Sequence, residues 1–262
     1  MTARRRLRRL LVAVPLVAAA AVTPLVVRPA AGQQSDDELV ERGRELYLTG
    51  CASCHGDDGR GVETDEGDTR GPSLEMAGEA SAFYYLSTGR MPLASSEEIP
   101  TRKRPAYDDE EIAALVAYVA TLGEGPPVPE VDLDGADVAQ GGEIFRANCQ
   151  ACHSASGSGG ALSYGRSAPR LAEATPTEVA AAVRAGPGQM PVFGRETIAN
   201  DELDDLVRYV EYLDDPSDPG GLPIGRTGPI PEGFVAWLVG MVALIVLVAW
   251  IGTRSPIRRS HP

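Results

Sequence analysis

Histidine is scarce in this 262-residue chain: three occur, at His55, His153 and His261. Methionine occurs five times, and cysteine four. Basic residues are depleted between the two ends. Residues 33–222 hold 14 Lys+Arg against 36 Asp+Glu, a net of −22, whereas the whole chain carries −13. A field of that sign repels nucleic acid, so no nucleic-acid partner is expected. It suits either steering of cationic partners or plain solubility.

The four cysteines and two of the histidines fall into one repeated pentapeptide. Cys51–His55 reads CASCH and Cys149–His153 reads CQACH. C-x-x-C-H is the attachment signature of a c-type haem. Its two thiols are spaced to bond the two vinyl groups of one porphyrin, and the adjacent histidine reaches one face of the iron. Cys51, Cys54, Cys149 and Cys152 are therefore expected to hold two covalent haems c. A thioredoxin-like pair does not need a histidine after it in both copies. A single zinc site is disfavoured by the 95 positions from Cys54 to Cys149, far beyond the usual gap of about 15–20 between zinc-binding pairs. A disulfide framework leaves the histidines unexplained.

The shortage of histidine then selects the remaining iron ligands. With His55 and His153 inside the motifs and His261 at the end of the chain, no histidine is left to be a second axial ligand. Methionine is the usual alternative and raises the reduction potential. Met1 is the initiator and Met241 lies in an apolar run. Met91, in TGRMP, follows Cys51 by 40 residues; Met190, in GPGQMP, follows Cys149 by 41. That paired spacing and shared setting mark Met91 and Met190 as ligands. Met76 has no counterpart in the second half and reads as core filler.

The duplication reaches well beyond these motifs. Gly43 and Gly141 each stand eight residues before their first cysteine, and Tyr47 and Phe145 each stand four before it. Both segments read as short amphipathic helices, carrying Leu39, Val40, Leu46 and Tyr47 in one and Val138, Ile144 and Phe145 in the other; Ser35 and Asp36 are start signals for the first. GPSL (71–74) and APRL (168–171) follow, with Pro72 and Pro169 placed where a backbone carbonyl could meet the haem histidine's other ring nitrogen. Each half closes on a second helix: Asp108–Leu122 matches Ala199–Leu213, Leu115 pairing with Leu206 and Tyr118 with Tyr209. Eight extra residues in the first half fall in Ser95–Asp108, which holds Arg102, Lys103 and Arg104. This basic run is a docking loop, a partner for nearby acids, or a solvated loop.

The expected fold class is all-α: two tandem cytochrome c-like haem domains, at 33–123 and 138–216, plus a C-terminal transmembrane helix. A proline-rich linker spans 124–137, and a second linker spans 217–233. Residues 1–32, a basic start followed by an apolar run, read as a signal peptide or N-terminal membrane anchor. Residues 234–251 are 18 apolar residues without a charge, about 27 Å as a helix, which suits a bilayer core. Trp237 and Trp250 sit near its two ends. Arg254, Arg258 and Arg259 place the 252–262 tail in the cytoplasm and both haem domains on the outer face.

This order of parts resembles the dihaem cytochrome c subunit of the actinobacterial-type cytochrome bc1 complex, a menaquinol–cytochrome c reductase. CASCHG, GPSL, STGRMP, CQACH with GSGGALS, APRL and GPGQMP carry the resemblance, and GPIPEG running into the anchor is its more specific part. The resemblance implies electron transfer with no substrate-turnover site in this chain. It makes the haem at Cys51, Cys54, His55 and Met91 the acceptor from a Rieske iron–sulfur protein. The haem at Cys149, Cys152, His153 and Met190 becomes the donor to an aa3-type oxidase, with cytochrome b beside the anchor. Two other readings remain open: a dihaem subunit of a cbb3-type oxidase, whose main anchor would be expected before the haem domains, and a membrane-tethered dihaem carrier. A dihaem peroxidase is disfavoured by two methionine ligands.

Overall fold

The computed structural model describes residues 35–64, 67–216 and 229–254. The expected N-terminal signal or anchor segment lies outside them, as do residues 255–262. The architecture is all-α, and one order of elements occurs twice. The first run is α1 (Asp36–Gly50), α2 (Ala52–His55), β1 (Val62–Glu63), β2 (Thr69–Gly71), α3 (Gly78–Ser87) and α4 (Asp109–Ala120). The second is α5 (Val138–Asn148), α6 (Gln150–His153), β3 (Gly160–Ala161), a 3-10 turn (Ser163–Gly165), β4 (Ser167–Ala168), α7 (Pro176–Ala185) and α8 (Asn200–Asp214). Both strand pairs are antiparallel and minimal: Val62 faces Gly71 in one, and Gly160 faces Ala168 in the other.

Side-chain caps start these helices. Ser35 and Glu38 bond each other's backbone N–H at 3.3 and 3.2 Å, and Asp108 and Glu111 do the same ahead of α4. Asp137 accepts from the N–H of Ala139 and of Gln140 at the start of α5. Thr175 and Glu178 close a capping box on α7, with Pro176 in its first turn. Each reciprocal pair satisfies N–H groups that a helix start leaves without partners.

The first and last helices of each half cross at a glycine. A Cβ on Gly43 would lie 1.9 Å from the carbonyl oxygen of Ala114, and one on Gly141 would lie 1.9 Å from that of Asp205. Only a residue without a side chain allows backbone to rest on backbone there. Beside each crossing sits an aromatic pair: Tyr47 with Tyr118, centroids 5.1 Å apart, and Phe145 with Tyr209 at 5.3 Å. Leu115 and Ile112 complete the first core; Leu203, Leu206, Val207 and Val210 complete the second.

Two helices go beyond what the sequence pattern predicts. Between each proline loop and each methionine lies a third helix, α3 or α7. The two pack on one another through Ala80, Tyr84 and Ala181, with Phe83, Tyr85, Ala182 and Ala185 around them. Small residues on the facing sides let the helices approach. The 124–137 segment is also tied down on both sides. Glu79 accepts from the N–H of Val128 at 3.2 Å, Asp205 accepts from that of Asp137 at 2.6 Å, and Val131 and Leu133 pack on the second core.

Met76 departs from its expected role. It is 75% exposed, so it fills no core.

The C-terminal helix α9 (Pro229–Arg254) is 26 residues long, about 39 Å at 1.5 Å per residue. That exceeds the bilayer's hydrocarbon core of about 30 Å. Its 18-residue apolar window is unburied, an exposed surface of the kind that marks a membrane or protein contact. Arg254 stacks over the Trp250 ring at 4.2 Å, an arrangement suited to a membrane interface.

Candidate haem-binding sites

Each C-x-x-C-H motif runs from the end of the first helix through a single short helical turn. The Cys51 N–H donates to the Tyr47 carbonyl at 2.8 Å and that of His55 to the Cys51 carbonyl at 3.0 Å; Cys149 and His153 repeat the pattern at 2.8 and 2.9 Å. The chain then loops back beneath the histidine. His55 Nδ1 lies 2.8 Å from the carbonyl oxygen of Pro72, and His153 Nδ1 lies 3.0 Å from that of Pro169. A carbonyl can only accept, so Nδ1 carries the proton and Nε2 keeps its lone pair. Such a bond orients an imidazole that serves as a metal ligand.

The proline loops are held by equivalent bonds. Leu74 N–H donates to Gly59 at 2.7 Å, and Leu171 N–H to Gly157 at 2.9 Å. Gly61 and Gly159, with φ of +88° and +82°, lie where a Cβ would be 2.8 Å from Gly71 O and 2.5 Å from Ala168 O. Both the left-handed conformation and the close approach demand glycine.

Met91 and Met190 arrive from the opposite end of each half. Met91 packs with Cys51 and Leu74 against the first core, and Met190 packs with Cys149 and Leu171 against the second. In both, a glycine with φ near +65° stands two residues earlier, at Gly89 and Gly188. The Met91 N–H is held by the Tyr85 carbonyl at 3.0 Å. The Met190 N–H donates to the Pro187 carbonyl at 3.1 Å, and its loop is pinned by Arg184, which is 6% exposed. Its guanidinium donates to the carbonyls of Phe193 at 2.9 Å and Ile198 at 2.7 Å, and to Asn200 Oδ1 at 3.1 Å. The sequence pattern gave no hint of this role, because an arginine in an otherwise small-residue stretch looks like surface.

Electrostatics fit a covalently held group better than a redox dithiol. Burial, then the neighbouring thiol, pushes Cys51 up to about 11 and Cys149 likewise to about 11. A disulfide-exchange cysteine needs the opposite shift. Burial lowers the pKa of His153, a change partly opposed by its bond to Pro169. The imidazole is thus kept neutral, the form that ligates a metal. Among the described residues no three His, Cys, Asp or Glu converge on one point, so the two cysteine pairs do not build a shared tetrahedral site.

The second site opens as a cavity of about 510 Å³. Cys149, Cys152, His153 and Met190 line it, with Phe145, Leu171, Val183, Leu206 and Val210 supplying an apolar surface. Thiols and imidazole, a thioether and greasy walls are the donor set and surroundings a haem requires. The residues fit that group. Part of the wall comes from the first half: Tyr84, Tyr85 and Arg90 around α3, and Ile99–Arg102 from the eight-residue insertion. Within that insertion Arg102 pairs with Glu178 of α7 at 2.7 Å, Glu178 being only 6% exposed, while Lys103 pairs with Glu98. Of the three readings of the basic run, pairing with nearby acids is what these two residues do.

Comparison with known proteins follows the same division. Residues 40–123 match the cytochrome c family, and residues 136–210 match cytochrome c oxidase, cbb3-type, subunit III. Cytochrome c domains of this kind carry covalently bound haem c. The cytochrome bc1 complex cytochrome c subunit of Mycobacterium tuberculosis is 40% identical, over 96% of this chain and 94% of the relative. That of Corynebacterium diphtheriae is 36% identical, over 97% of each. The cbb3-type cytochrome c oxidase subunit FixP of Sinorhizobium medicae is 26% identical over 55% of this chain and 48% of its own length. Cytochrome c4 from Pseudomonas stutzeri matches with 22% identity, over 66% of this chain and 97% of that one, at a TM-score of 0.25, too low for structural equivalences to be drawn. The chain thus aligns nearly end to end with proteins 36–40% identical to it, and it belongs to the family of cytochrome bc1 complex cytochrome c subunits.

Proposed function

We propose that this chain is the dihaem electron-transfer subunit of a quinol–cytochrome c reductase, relaying electrons from a Rieske iron–sulfur protein to an aa3-type oxidase. The observation that carries this reading is the near-full-length relationship, which takes in both haem domains and α9 together. Haem c, when bound, supplies a one-electron couple that accepts and releases an electron without substrate chemistry. The protein's part is to hold, orient and desolvate. Cys51 and Cys54 in one domain, and Cys149 and Cys152 in the other, are the attachment thiols. His55 and His153 would offer Nε2 to iron, because Pro72 and Pro169 hold the proton on Nδ1. Met91 and Met190 would supply the thioether to each iron, and with both nitrogen and sulfur in place no open position would be left for oxygen or peroxide.

The domain limits assigned above, 33–123 and 138–216, are part of the same reading. The first domain is the acceptor from the Rieske protein and the second the donor to the oxidase. Cytochrome b packs beside α9. Arg254, Arg258 and Arg259 favour a cytoplasmic C-terminus, which puts the haem domains outside, where the net charge of −22 over 33–222 would favour cationic partners.

Gentle detergent extraction of native membranes, pulling on a tag at Pro262, tests this. Cytochrome b and a Rieske protein should co-purify, with or without aa3 oxidase subunits. Recovery with cbb3 subunits would favour the relationship seen over residues 136–210 and overturn the reductase reading. Recovery alone, loaded with haem, would leave a tethered carrier.

A further inference from the structure

Arg90 stands at the junction of the two domains. Its backbone belongs to the first, one residue before Met91, yet its side chain lines the cavity that also holds Cys149, His153 and Met190. It is 8% exposed. Its guanidinium lies over the Tyr84 ring at 4.8 Å, which occupies the flat face of the group and none of its N–H donors. Arg90 Nη1 is buried with no hydrogen-bond partner. Arg102 on the same wall is already committed, bonding both oxygens of Glu178 at 2.7 and 3.5 Å.

A buried cation with an unmade hydrogen bond is unfavourable unless an anion completes it. No acid in the cavity wall is available to Arg90. Four arginines line it, at 90, 102, 166 and 170, against one acid, the already paired Glu178. That balance runs against a chain with 37 Asp+Glu and 24 Lys+Arg. Arg166 and Arg170 are exposed and Arg102 is paired, so it is the buried Arg90 that calls for a ligand with negative charge. The group that fits this cavity carries two propionate carboxylates, and a planar guanidinium matches a carboxylate better than any other side chain does.

We propose that Arg90 binds a propionate of the haem held by the second domain, so that the first domain supplies a positioning residue for its neighbour's prosthetic group. The proposal rests on the two-haem reading above. Arg90 acts through charge and orientation and does not touch iron. A fixed cation near a haem disfavours the ferric form, which carries the extra positive charge, and so holds the potential up.

The test uses the full-length chain with its haems attached, comparing Arg90→Gln and Arg90→Lys with wild type by redox titration. Titrations are run on the alkaline side, where the propionate stays ionised. Met91→Ala and Met190→Ala mark which redox component belongs to which domain. Arg90→Gln should lower the potential of the component marked by Met190 and leave the other in place, and Arg90→Lys, which keeps the charge, should restore most of the loss. Two unchanged potentials would overturn the proposal, as would a shift confined to the Met91 component, which would mean that Arg90 serves only the methionine beside it. Haem quantification separates the two levels of failure. One haem per wild-type chain would defeat the two-haem reading and this inference together; two haems with no response to Arg90→Gln would defeat this inference alone.

Discussion

Replacing Gly141 with alanine tests whether the close helix crossing holds the second domain together. The added Cβ would meet Asp205 O at 1.9 Å, Asp205 C at 2.5 Å and Tyr209 Cβ at 2.9 Å. Ordinary contact begins at 3.4 Å, so α5 and α8 must separate by about 1.5 Å, and a backbone carbonyl cannot swing aside as a side chain would. Overpacking of this kind costs about 1–3 kcal/mol. A shift of that size also loosens the Phe145–Tyr209 pair, worth about 0.5–1.5 kcal/mol beyond area burial. Alanine returns about 1 kcal/mol through helix propensity. The net expectation is a loss of about 2 kcal/mol. It would be read by denaturant unfolding of the haem-loaded chain in detergent, following haem absorbance. Gly142→Ala is the control, since its Cβ would meet only side-chain atoms of Tyr209 and Arg146, at 2.9 Å and beyond. If Gly141→Ala stabilises the domain, as a helix glycine with open space around it would, the crossing is looser than described and the argument fails.

Three other changes probe the sites. Met190→Ala should open the second iron, lower its potential and admit carbon monoxide; an unchanged potential with no carbon monoxide binding would refute the ligand assignment. Arg184→Leu strips donors from Phe193 O, Ile198 O and Asn200 Oδ1. Of these Ile198 O is the buried one, and an unsatisfied buried acceptor costs about 1–3 kcal/mol, so the Met190 loop should detach at lower denaturant, seen as early loss of the methionine–iron charge-transfer absorption. Glu178→Gln keeps the α7 cap but removes the charge facing Arg102. Breaking a fully buried pair costs about 3–5 kcal/mol, and because Arg102 is 29% exposed the expected loss is nearer 1–2 kcal/mol. The two domains should then unfold in more separate transitions; coincident transitions at the wild-type midpoint would show the pair contributes nothing.

What the sequence made legible was whatever the chain states twice. Gly43 and Gly141, equally spaced from their cysteines, proved to be the two helix crossings. Pro72 and Pro169, suspected of meeting a histidine nitrogen, place their carbonyls 2.8 and 3.0 Å from it. The helices α4 and α8 showed through because a stripe of Ile, Leu and Val repeats at helical spacing after an acidic first turn. The helices α3 and α7 did not. Their mutual faces are alanines and tyrosines that meet across the domain interface, and each gives its own core only a few residues, Leu86 from α3 and Val179, Ala180 and Val183 from α7, too few for a clear helical stripe. Arg184 and Arg90 were opaque for a related reason. A buried arginine is defined by partners from distant segments, and nothing local separates it from a solvated one. Met76 was misread because methionine composition alone does not say which side of a loop faces solvent.

The one clear departure from the repeat is also what joins the halves. Eight residues inserted after the first methionine carry Ile99–Arg102 onto the wall of the second cavity and bring Arg102 to Glu178. Glu178 in turn caps α7 through its bond to the Thr175 N–H at 3.0 Å. The second half has no equivalent insertion to return the contact. First-domain residues complete the second site, while among the described residues the apolar core around Cys51 and Met91 is assembled from its own half. A change in the 95–108 loop should accordingly disturb the second redox centre before the first, even though the loop is closer in sequence to Met91 than to any residue of the second domain.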